Sequence, residues 1–240
     1  MRTIDASGMD FTVLNELLRA EAGSVEIHGC LGQRFIGAGM RDRKISIHGV
    51  PGNALGAYLN GGTIEVFGNA QDAVGDTMNA GTILVHGSIG DTAGYAMRGG
   101  KIYVRGDAGY RTGIHMKAYQ EHLPVIIIGG RAGTFLGEYQ AGGLLIVLGL
   151  HADGRPIVSN FPCTGMHGGK LFLRSRCEDV LFPRQVTARP AAPEDLEEIA
   201  AYLREYCGLF GLDCKAILDA PFTVVTPDSA NPYQQMYVAN

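Results

Sequence analysis

A short apolar segment recurs along the chain at intervals of about 19 residues. In each copy the first and third residues are Val, Ile or Leu, whereas the second and fourth positions are mixed. Side chains alternate between the two faces of a strand, so the first and third positions share one buried core. The pattern predicts eight strands, at residues 25–28, 45–48, 64–67, 83–86, 102–105, 126–129, 145–148 and 171–174.

The segments between these strands indicate how the strands are joined. Because each repeat keeps the same register, neighbouring strands run parallel, and parallel strands need a crossover of about a dozen residues or more. The crossovers carry a glycine directly after the strand and another seven residues later, as at Gly87 and Gly94. Such glycines are typical of tight corners rather than of a helix. The repeat therefore predicts an all-β solenoid, a right-handed parallel β-helix of about eight turns.

A further position of the repeat is a column of methionines. It contains Met40, Leu59, Met78, Met97, Met116 and Met166, with Gln140 as the exception. Methionine sulfur can bind soft metals, but a flexible thioether between glycine corners is well suited to filling irregular interior space. We therefore expect this column to pack in the core.

The fourth strand position forms a column on the outer face of the sheet. It contains His28, His48, Phe67, His86 and Arg105. His28 and His48 lie on adjacent turns, close enough to share a ligand, but the column aligns no third donor with them. We therefore interpret it as a solvated or partner-covered surface and assign no metal ligand.

The corners of the repeat carry acids, at Asp72, Asp76, Asp91 and Asp107. Paired carboxylates are the machinery of glycoside-cleaving enzymes, but these acids show no clear pairing. Acids in turns more often cap their own backbone. We expect a structural role for them and assign no catalytic residue.

The second strand position changes from polar to apolar along the solenoid. It begins with Glu26, Ser46 and Glu65 and continues with Leu84, Tyr103, Ile127, Ile146 and Phe172. A large exposed apolar patch usually marks an interface. We expect the C-terminal region to cover part of this face, and a partner protein or a second copy in a homo-oligomer to cover the rest.

Segments without the repeat flank the solenoid. Asp10 is expected to start a short amphipathic helix, and Ala192 a longer one with acids in its first turn and glycine near its end. An extended segment at 222–227 follows, and the polar residues from Asp228 are expected to be loose or partner-bound. The predicted organisation is an N-terminal cap at 1–24, the β-helix at 25–189, and a C-terminal helix and tail at 190–240.

Two turns contain insertions, at 119–124 and 150–168. Insertions in a solenoid bulge from one face, which is often the binding face. Candidate reactive side chains in or beside them are His115, His122, His151, Cys163 and His167. A Cys/His nucleophilic pair is one interpretation. Because no local signature accompanies it, we favour contacts with other subunits.

Composition and charge narrow the functional class. The 240 residues are 46% hydrophobic, with a net charge of −4, and the lysines and arginines are scattered, which argues against nucleic acid or anionic membrane as a partner. The N-terminus lacks the apolar run of a signal peptide, so we expect a cytoplasmic protein. The five cysteines include no CxxC pair, which argues against a zinc or iron–sulfur site in this chain.

The GxxGxxxG pattern, found at 49–56, 87–94, 106–113 and 130–137, resembles the GXGXG domain that ends the large subunit of glutamate synthase. The segments HGCLGQRFIGAGM, GNAQDAVGDTMNAG and GYAMRGG, and the C-terminal helix followed by FTVVTP, are similar to the stand-alone form of that domain. The resemblance covers nearly the whole chain. It departs at Gln71, which replaces the middle glycine of one repeat, and in the first turn, which is one residue longer.

The resemblance implies a non-catalytic structural subunit of a complex that moves the amide nitrogen of glutamine, as channelled ammonia, to 2-oxoglutarate and so makes glutamate. The implied partners are a class II glutamine amidotransferase subunit and a synthase subunit with FMN and iron–sulfur clusters, reduced by NAD(P)H or ferredoxin. Arg2 stands where an amidotransferase has its nucleophilic cysteine, and the sequence shows neither clustered cysteines for iron–sulfur nor a strand–helix unit that binds the flavin phosphate. No catalytic or cofactor-binding residue is therefore carried over to this chain. The insertions would contact these partners or line the ammonia path.

Three alternatives are left open. The scaffold subunit of formylmethanofuran dehydrogenase, a tungsten or molybdenum enzyme, shares the repeat, and an N-methylglutamate synthase-like complex uses a similar scaffold. The helix and the FTVVTP segment favour the glutamate synthase side. An autonomous carbohydrate-active β-helix enzyme would require convergent acids on one face.

Overall fold

One continuous sheet winds through the molecule. The computed structural model describes residues 1–230, in which strands β1 to β9 pair in parallel and in chain order. β11 then pairs antiparallel with β9, and β10 pairs antiparallel with β11. The elements are β1 (Arg2–Asp5), α1 (Phe11–Ala20), β2 (Val25–Leu31), β3 (Lys44–Val50), β4 (Asn60–Val66), β5 (Ala80–Val85), β6 (Lys101–Val104), β7 (Val125–Ile128), β8 (Ala141–Val147), β9 (Gly168–Leu173), β10 (Val186–Pro190), α2 (Pro193–Phe210), α3 (Cys214–Leu218) and β11 (Thr223–Pro227).

The strand registers confirm the predicted parallel β-solenoid of about eight turns. Ile45 of β3 pairs with Ile64 of β4, and Ile64 pairs with Ile83 of β5, so equivalent residues of successive turns lie over one another. These side chains are buried in a single core that follows the solenoid axis. The first and third strand positions therefore form the inward face, as their apolar character predicts.

The methionine column also packs in this core, as predicted. Its members Met40, Leu59, Met78, Met97, Met116 and Met166 are all buried there. Gln140 occupies the same column and is fully buried. Its amide nitrogen donates to the backbone oxygen of Gly143 at 3.0 Å, so the polar exception supports the adjacent corner instead of leaving its donor unpaired.

Within a corner of the solenoid, every second residue has a left-handed backbone conformation. Gly94 has a φ of 67°, and Thr92 and Ala96 on either side of it have φ values of 57° and 50°. A Cβ atom at Gly94 would press against the Cδ1 atom of Ile126 in the next turn, whereas Thr92 and Ala96 are partly exposed. The left-handed φ alone does not require glycine, since Thr92 and Ala96 adopt it as well. Glycine is needed at position 94 because this position faces the core and a Cβ atom would clash with Ile126.

Some of the glycines directly after the strands, such as Gly68 and Gly106, are required for a different reason. Gly106 does not have a positive φ, but a Cβ atom there would lie only 2.8 Å from the backbone oxygen of Gly87 in the preceding turn. Gly68 is similarly placed against the backbone oxygen of Gly49. The close stacking of successive turns, rather than an unusual backbone angle, excludes larger residues at these positions.

A second core forms where helix α2 lies on the outer face of the sheet. Tyr103, Ile127 and Phe172 on the strands pack with Leu203 and Tyr206 of the helix, and all are fully buried. The C-terminal region thus covers the apolar outer face within one chain. The expectation that a second copy or a partner covers part of it is corrected, because α2 together with β11 already buries these residues.

Polar contacts fix α2 in place. The Lys101 ammonium bonds the Glu205 carboxylate at 2.6 Å, and the Tyr103 hydroxyl donates to the same carboxylate at 3.0 Å. At the start of the helix, hydrogen bonds from Arg189 hold the pKa of Asp195 below its usual range. The two-nitrogen pairing of that arginine with the carboxylate ties β10 to α2.

The N-terminal segment is more than a helical cap. Helix α1 begins after Asp10, whose carboxylate accepts the Thr12 amide at 2.8 Å, as predicted for a helix start. Before it, however, β1 adds a strand in parallel to β2 that the repeat does not predict. The short strand β10 and helix α3 are likewise unpredicted, because neither lies in the repeat. Of the tail predicted from Asp228, residues 231–240 lie outside the described part of the chain.

We predict that Gly94→Val lowers the free energy of unfolding by more than about 1 kcal/mol, because valine is strained at this φ and meets Ile126. Ala73→Val is the matched control, since Ala73 has a φ of 57° but is partly exposed. Urea denaturation should show the smaller loss for the control. Equal losses would contradict the inward orientation of the Gly94 corner.

We predict that Leu203→Ala destabilises the chain by about 2–5 kcal/mol, because its side chain is fully buried between α2 and the sheet. Leu209→Ala on the same helix removes a side chain that is 44% exposed and should cost much less. Both variants are compared by chemical denaturation of the purified chain. Similar values for the two would show that α2 is not docked as described.

Candidate functional site

The corner acids connect successive turns of the solenoid. The Asp72 carboxylate accepts the backbone N–H of Asp91 at 2.9 Å, and the Asp91 carboxylate accepts that of Tyr110 at 2.8 Å. Asp107 accepts the N–H of Arg131 at 2.7 Å in the same way. The acids have a structural role, as expected, but most of them bond the next turn rather than their own. Asp76 differs, since it accepts the Thr77 hydroxyl beside it at 2.8 Å.

The histidine column is a continuous stack of rings on the outer face. The ring centroids of His28 and His48 lie 4.4 Å apart with planes 6° from parallel, and those of His48 and Phe67 lie 4.7 Å apart. Phe67 stacks in turn on His86 at 4.9 Å. At the end of the column Phe210 of α2 meets the His86 ring edge-on. The outer column is therefore part solvated and part covered by the chain's own helix.

Glu26 joins the two N-terminal histidines, which corrects the expectation that no third donor lies beside them. Its Oε1 atom is 3.0 Å from His48 Nε2 and 3.6 Å from His28 Nε2. Glu26 and His28 are two residues apart on β2 and so project from the same face. The sequence signal for this group is the two-residue spacing of Glu26 and His28, which brings the second and fourth strand positions together on the outer face.

Two turns further along, a related group is completed by lysine. His86 Nε2 lies 3.1 Å from Glu65 Oε1, and the Lys44 ammonium lies 2.9 Å from Glu65 Oε2. Burial raises the pKa of Glu65, but hydrogen bonds from Lys44 and His86 outweigh it and leave that pKa below its usual range. Glu65 is therefore an ionised carboxylate with a cation already beside it.

The reactive candidates of the insertions occupy separate environments. Cys163 is fully buried in the main core, and burial raises the pKa of its thiol to about 12. The His167 ring is placed 3.0 Å from the backbone oxygen of Gly165, and His115 stacks on Tyr139 at 5.1 Å. His122 forms a short backbone bridge with Tyr119, within the first insertion. Nucleophilic chemistry would require the thiolate form of Cys163. Burial of the side chain disfavours ionisation of the thiol and therefore argues against that role.

An aromatic cluster lies at the corners next to the second insertion. Phe135 meets Phe161 at a centroid distance of 5.3 Å and Tyr110 at 5.6 Å, and the Arg111 guanidinium lies 4.6 Å from the Tyr110 ring centroid. We call Tyr110, Arg111, Phe135 and Phe161 the aromatic corner patch. Phe161 is 61% exposed although its backbone has a φ of 58°. This φ recurs at the equivalent corners of the repeat, as at Thr92 and Phe135, so the distinguishing feature of Phe161 is its exposed ring among other aromatic rings.

A shallow groove continues this patch along the second insertion. It has a volume of about 270 Å³ and is lined by Phe161, Pro156, Val180 and Leu181, among others. Leu181 is 90% exposed. Arg131, which also lines the groove, donates from its Nε atom to the Pro156 carbonyl at 2.8 Å and ties the insertion to the solenoid. Exposed aromatic, arginine and aliphatic side chains in one place have the composition of an interface core.

Within residues 1–230, none of the helices combines the length and the apolar character needed to cross a membrane.

Comparison with known proteins identifies the repeat. The GXGXG motif family matches residues 11–227, which is nearly the whole described chain. The uncharacterized protein MJ1350 of Methanocaldococcus jannaschii is 42% identical over 248 aligned positions, covering 98% of this chain and 95% of that protein. A chain in the X-ray structure of the formyltransferase/hydrolase complex of Methylorubrum extorquens with methylofuran has a TM-score of 0.53 at 20% identity, covering 95% of this chain and 91% of that one. That likeness shows the shared fold.

We predict that Cys163 resists alkylation in the native protein, because its thiol is buried and its pKa is raised to about 12. Burial raises the pKa of the Cys177 thiol as well, but Cys177 is partly exposed and so provides an internal comparison for access of the reagent. Mass spectrometry after brief treatment with iodoacetamide near neutral pH should find Cys177 labelled first, and Cys163 labelled only after unfolding. Rapid labelling of Cys163 in the native protein would contradict its burial and would support a role for Cys163 as a nucleophile.

Proposed function

The chain belongs to the GXGXG motif family, and we propose that it is a non-catalytic structural subunit of a multi-subunit enzyme complex of the glutamate synthase type. In this proposal the complex transfers the amide nitrogen of glutamine to 2-oxoglutarate, and this chain holds the catalytic subunits in position. The observation that carries the proposal is the aromatic corner patch with its adjoining groove, a contact surface outside the part of the sheet that α2 covers.

The internal roles of the chemically versatile residues support a scaffold. The corner acids bond the backbone of neighbouring turns, and Cys163 lies in the core. The glycines of the repeat permit close turns, as at Gly94 and Gly106. These residues stabilise the solenoid. The glycine motif therefore accounts for the fold of the chain and does not indicate a catalytic reaction.

The position of the second insertion supports contact with another subunit. A solenoid has a repetitive lateral surface, and an insertion interrupts it at one level along the axis. Here Pro156 of the insertion lines one groove with Leu181 and with Phe161, which stands at the regular corner position that follows the extra residues. Desolvation of exposed aromatic and aliphatic side chains is the main driving force for association, and aromatics are frequent among the residues that dominate binding energy.

The proposed partners are a class II glutamine amidotransferase subunit and a synthase subunit that carries FMN and iron–sulfur clusters. NAD(P)H or ferredoxin would deliver electrons to that synthase subunit. This assignment rests on the resemblance of the repeat and of the C-terminal helix and extended segment to the glutamate synthase domain. A cytoplasmic location would agree with such partners.

The second candidate is a scaffold subunit of a formylmethanofuran dehydrogenase-type complex. The observation in favour of this candidate is that the chain shares its fold with a chain in the formyltransferase/hydrolase complex of Methylorubrum extorquens. An N-methylglutamate synthase-like complex is a related option within the first class. All three place the chain in an assembly and differ in the enzyme that it supports.

We predict that the full chain, coexpressed with the amidotransferase and synthase chains of the same organism, elutes with them as one complex in size-exclusion chromatography. Phe161→Ala should reduce recovery of the complex several-fold, because it removes the most exposed ring of the aromatic corner patch. Tyr58→Ala is the matched control, since Tyr58 is 58% exposed with a φ of 56° but lies on a distant turn.

The isolated chain should contain no bound FMN by absorbance and should show no glutaminase turnover. Flavin binding or turnover by the chain alone would overturn the non-catalytic assignment. Preferential assembly with a molybdopterin-containing chain would overturn the glutamate synthase assignment in favour of the second candidate. Failure of all these chains to assemble with it would contradict the scaffold proposal itself.

A further inference from the structure

We propose that Glu26, His28 and His48 form a binding site for a divalent transition-metal ion of the zinc class, on the outer face at the N-terminal end of the solenoid. The three side chains each offer one ligand atom, and these atoms lie within 4.8 Å of one another. The site is separate from the aromatic corner patch and does not depend on which complex the chain joins.

The solenoid itself brings the three donors together. Glu26 and His28 lie on one face of β2 because they are two residues apart. The parallel register pairs Ile27 of β2 with Ile47 of β3, which places His48 directly beside His28 on the next turn. A site that joins two turns can exist only in the folded chain, so metal binding would stabilise the N-terminal end of the solenoid.

The donor set matches the chemistry of zinc. Two imidazole nitrogens and one carboxylate oxygen are a ligand combination that zinc uses in sites with an open fourth position. The ion-pair contacts of Glu26 in the described chain are with His28 and His48, at 3.6 and 3.0 Å. The carboxylate is therefore already oriented towards both imidazoles, and a cation between them would satisfy all three.

Only a small rearrangement is needed to bind the ion. Ligand atoms around tetrahedral zinc lie about 3.4 Å apart, as follows from zinc–nitrogen distances of about 2.0–2.1 Å. His28 and His48 are stacked with their side chains 48% and 38% exposed, so their rings have room to turn towards Glu26. The same exposure leaves the ion accessible from solvent and leaves a coordination position for water or for a side chain of another subunit.

The chain contains an internal comparison for this site. Glu65 and His86 repeat the carboxylate–imidazole contact, but Phe67 stands where the second imidazole would be. Lys44 also lies 2.9 Å from Glu65 and supplies the positive charge there. A group with one imidazole and a lysine ammonium beside it lacks the donors and the charge that attract a metal ion, so binding should be confined to the first group.

The test is titration of the untagged full chain with zinc chloride by isothermal calorimetry. We expect one equivalent to bind to the wild-type chain, and cobalt(II) at the same site to give the visible absorption of a low-symmetry complex. His48→Phe removes a donor but keeps a ring in the stack, as Phe67 does on the next turn. It should weaken binding by more than about tenfold, since even the loss of a partner that only supports a metal ligand changes affinity by about 10–100-fold.

His86→Phe is the matched control, because it makes the same replacement in the same column and leaves Glu26, His28 and His48 in place. It should bind zinc as the wild-type chain does. Glu26→Gln provides a second test variant if His48→Phe alters folding, as checked by circular dichroism. The proposal is overturned if the wild-type chain binds no zinc, or if the His48 and His86 variants bind it equally well.

Discussion

Hydrogen bonding between successive turns is the constraint on which the rest of this structure depends. The backbone N–H of Gly56 donates to Ile36, that of Gly75 to Leu55 and that of Gly94 to Val74, each over 2.7–2.8 Å. Since every turn satisfies the polar backbone of its neighbours, the chain length of a turn is fixed wherever the turns stack closely. Extra residues must leave the stack, as some of those within 119–124 and 150–168 do, whereas Val158 and Cys163 keep the regular bonds to the neighbouring turn.

The same constraint explains the ends and faces of the solenoid. A parallel stack presents an unpaired edge at each end, which could pair with another molecule. At the C-terminal end β11 reverses direction and pairs antiparallel with β9, so the parallel register stops there. Helix α2, which precedes β11 in the chain, lies over the apolar part of the outer face, while the polar part around Glu26 and His48 is left partly exposed. The outer face thus has one part that is buried beneath α2 and another part that is accessible to solvent.

Within residues 1–230, the aromatic corner patch and the group of Glu26, His28 and His48 are both accessible and differ in chemistry. The aromatic corner patch displays Phe161 beside a groove with a mixed polar and apolar lining, which suits association with another protein. The group of Glu26, His28 and His48 presents polar donors at the opposite end of the repeat, which suits an ion. Neither surface uses the glycine motif directly, because the motif acts by setting the shape of the turns.

The sequence by itself determined the strands, the inward columns and the core position of residues such as Met78 and Met97, because these depend on one short repeat and on side-chain alternation. It also indicated α1 and α2 through their capping residues and amphipathic pattern. The strands β1 and β10 were not predictable, since each is defined by a partner strand rather than by its own few residues.

Only the tertiary structure decided what covers the outer face and which donors meet on it. The apolar character of Tyr103 and Phe172 requires burial, but it does not specify whether this chain or another provides the cover; the return path of α2 decides that. The meeting of Glu26 with His48 depends on rotamers and on register across two turns. A repeat fixes which columns exist, whereas contacts between columns arise only when the turns are stacked.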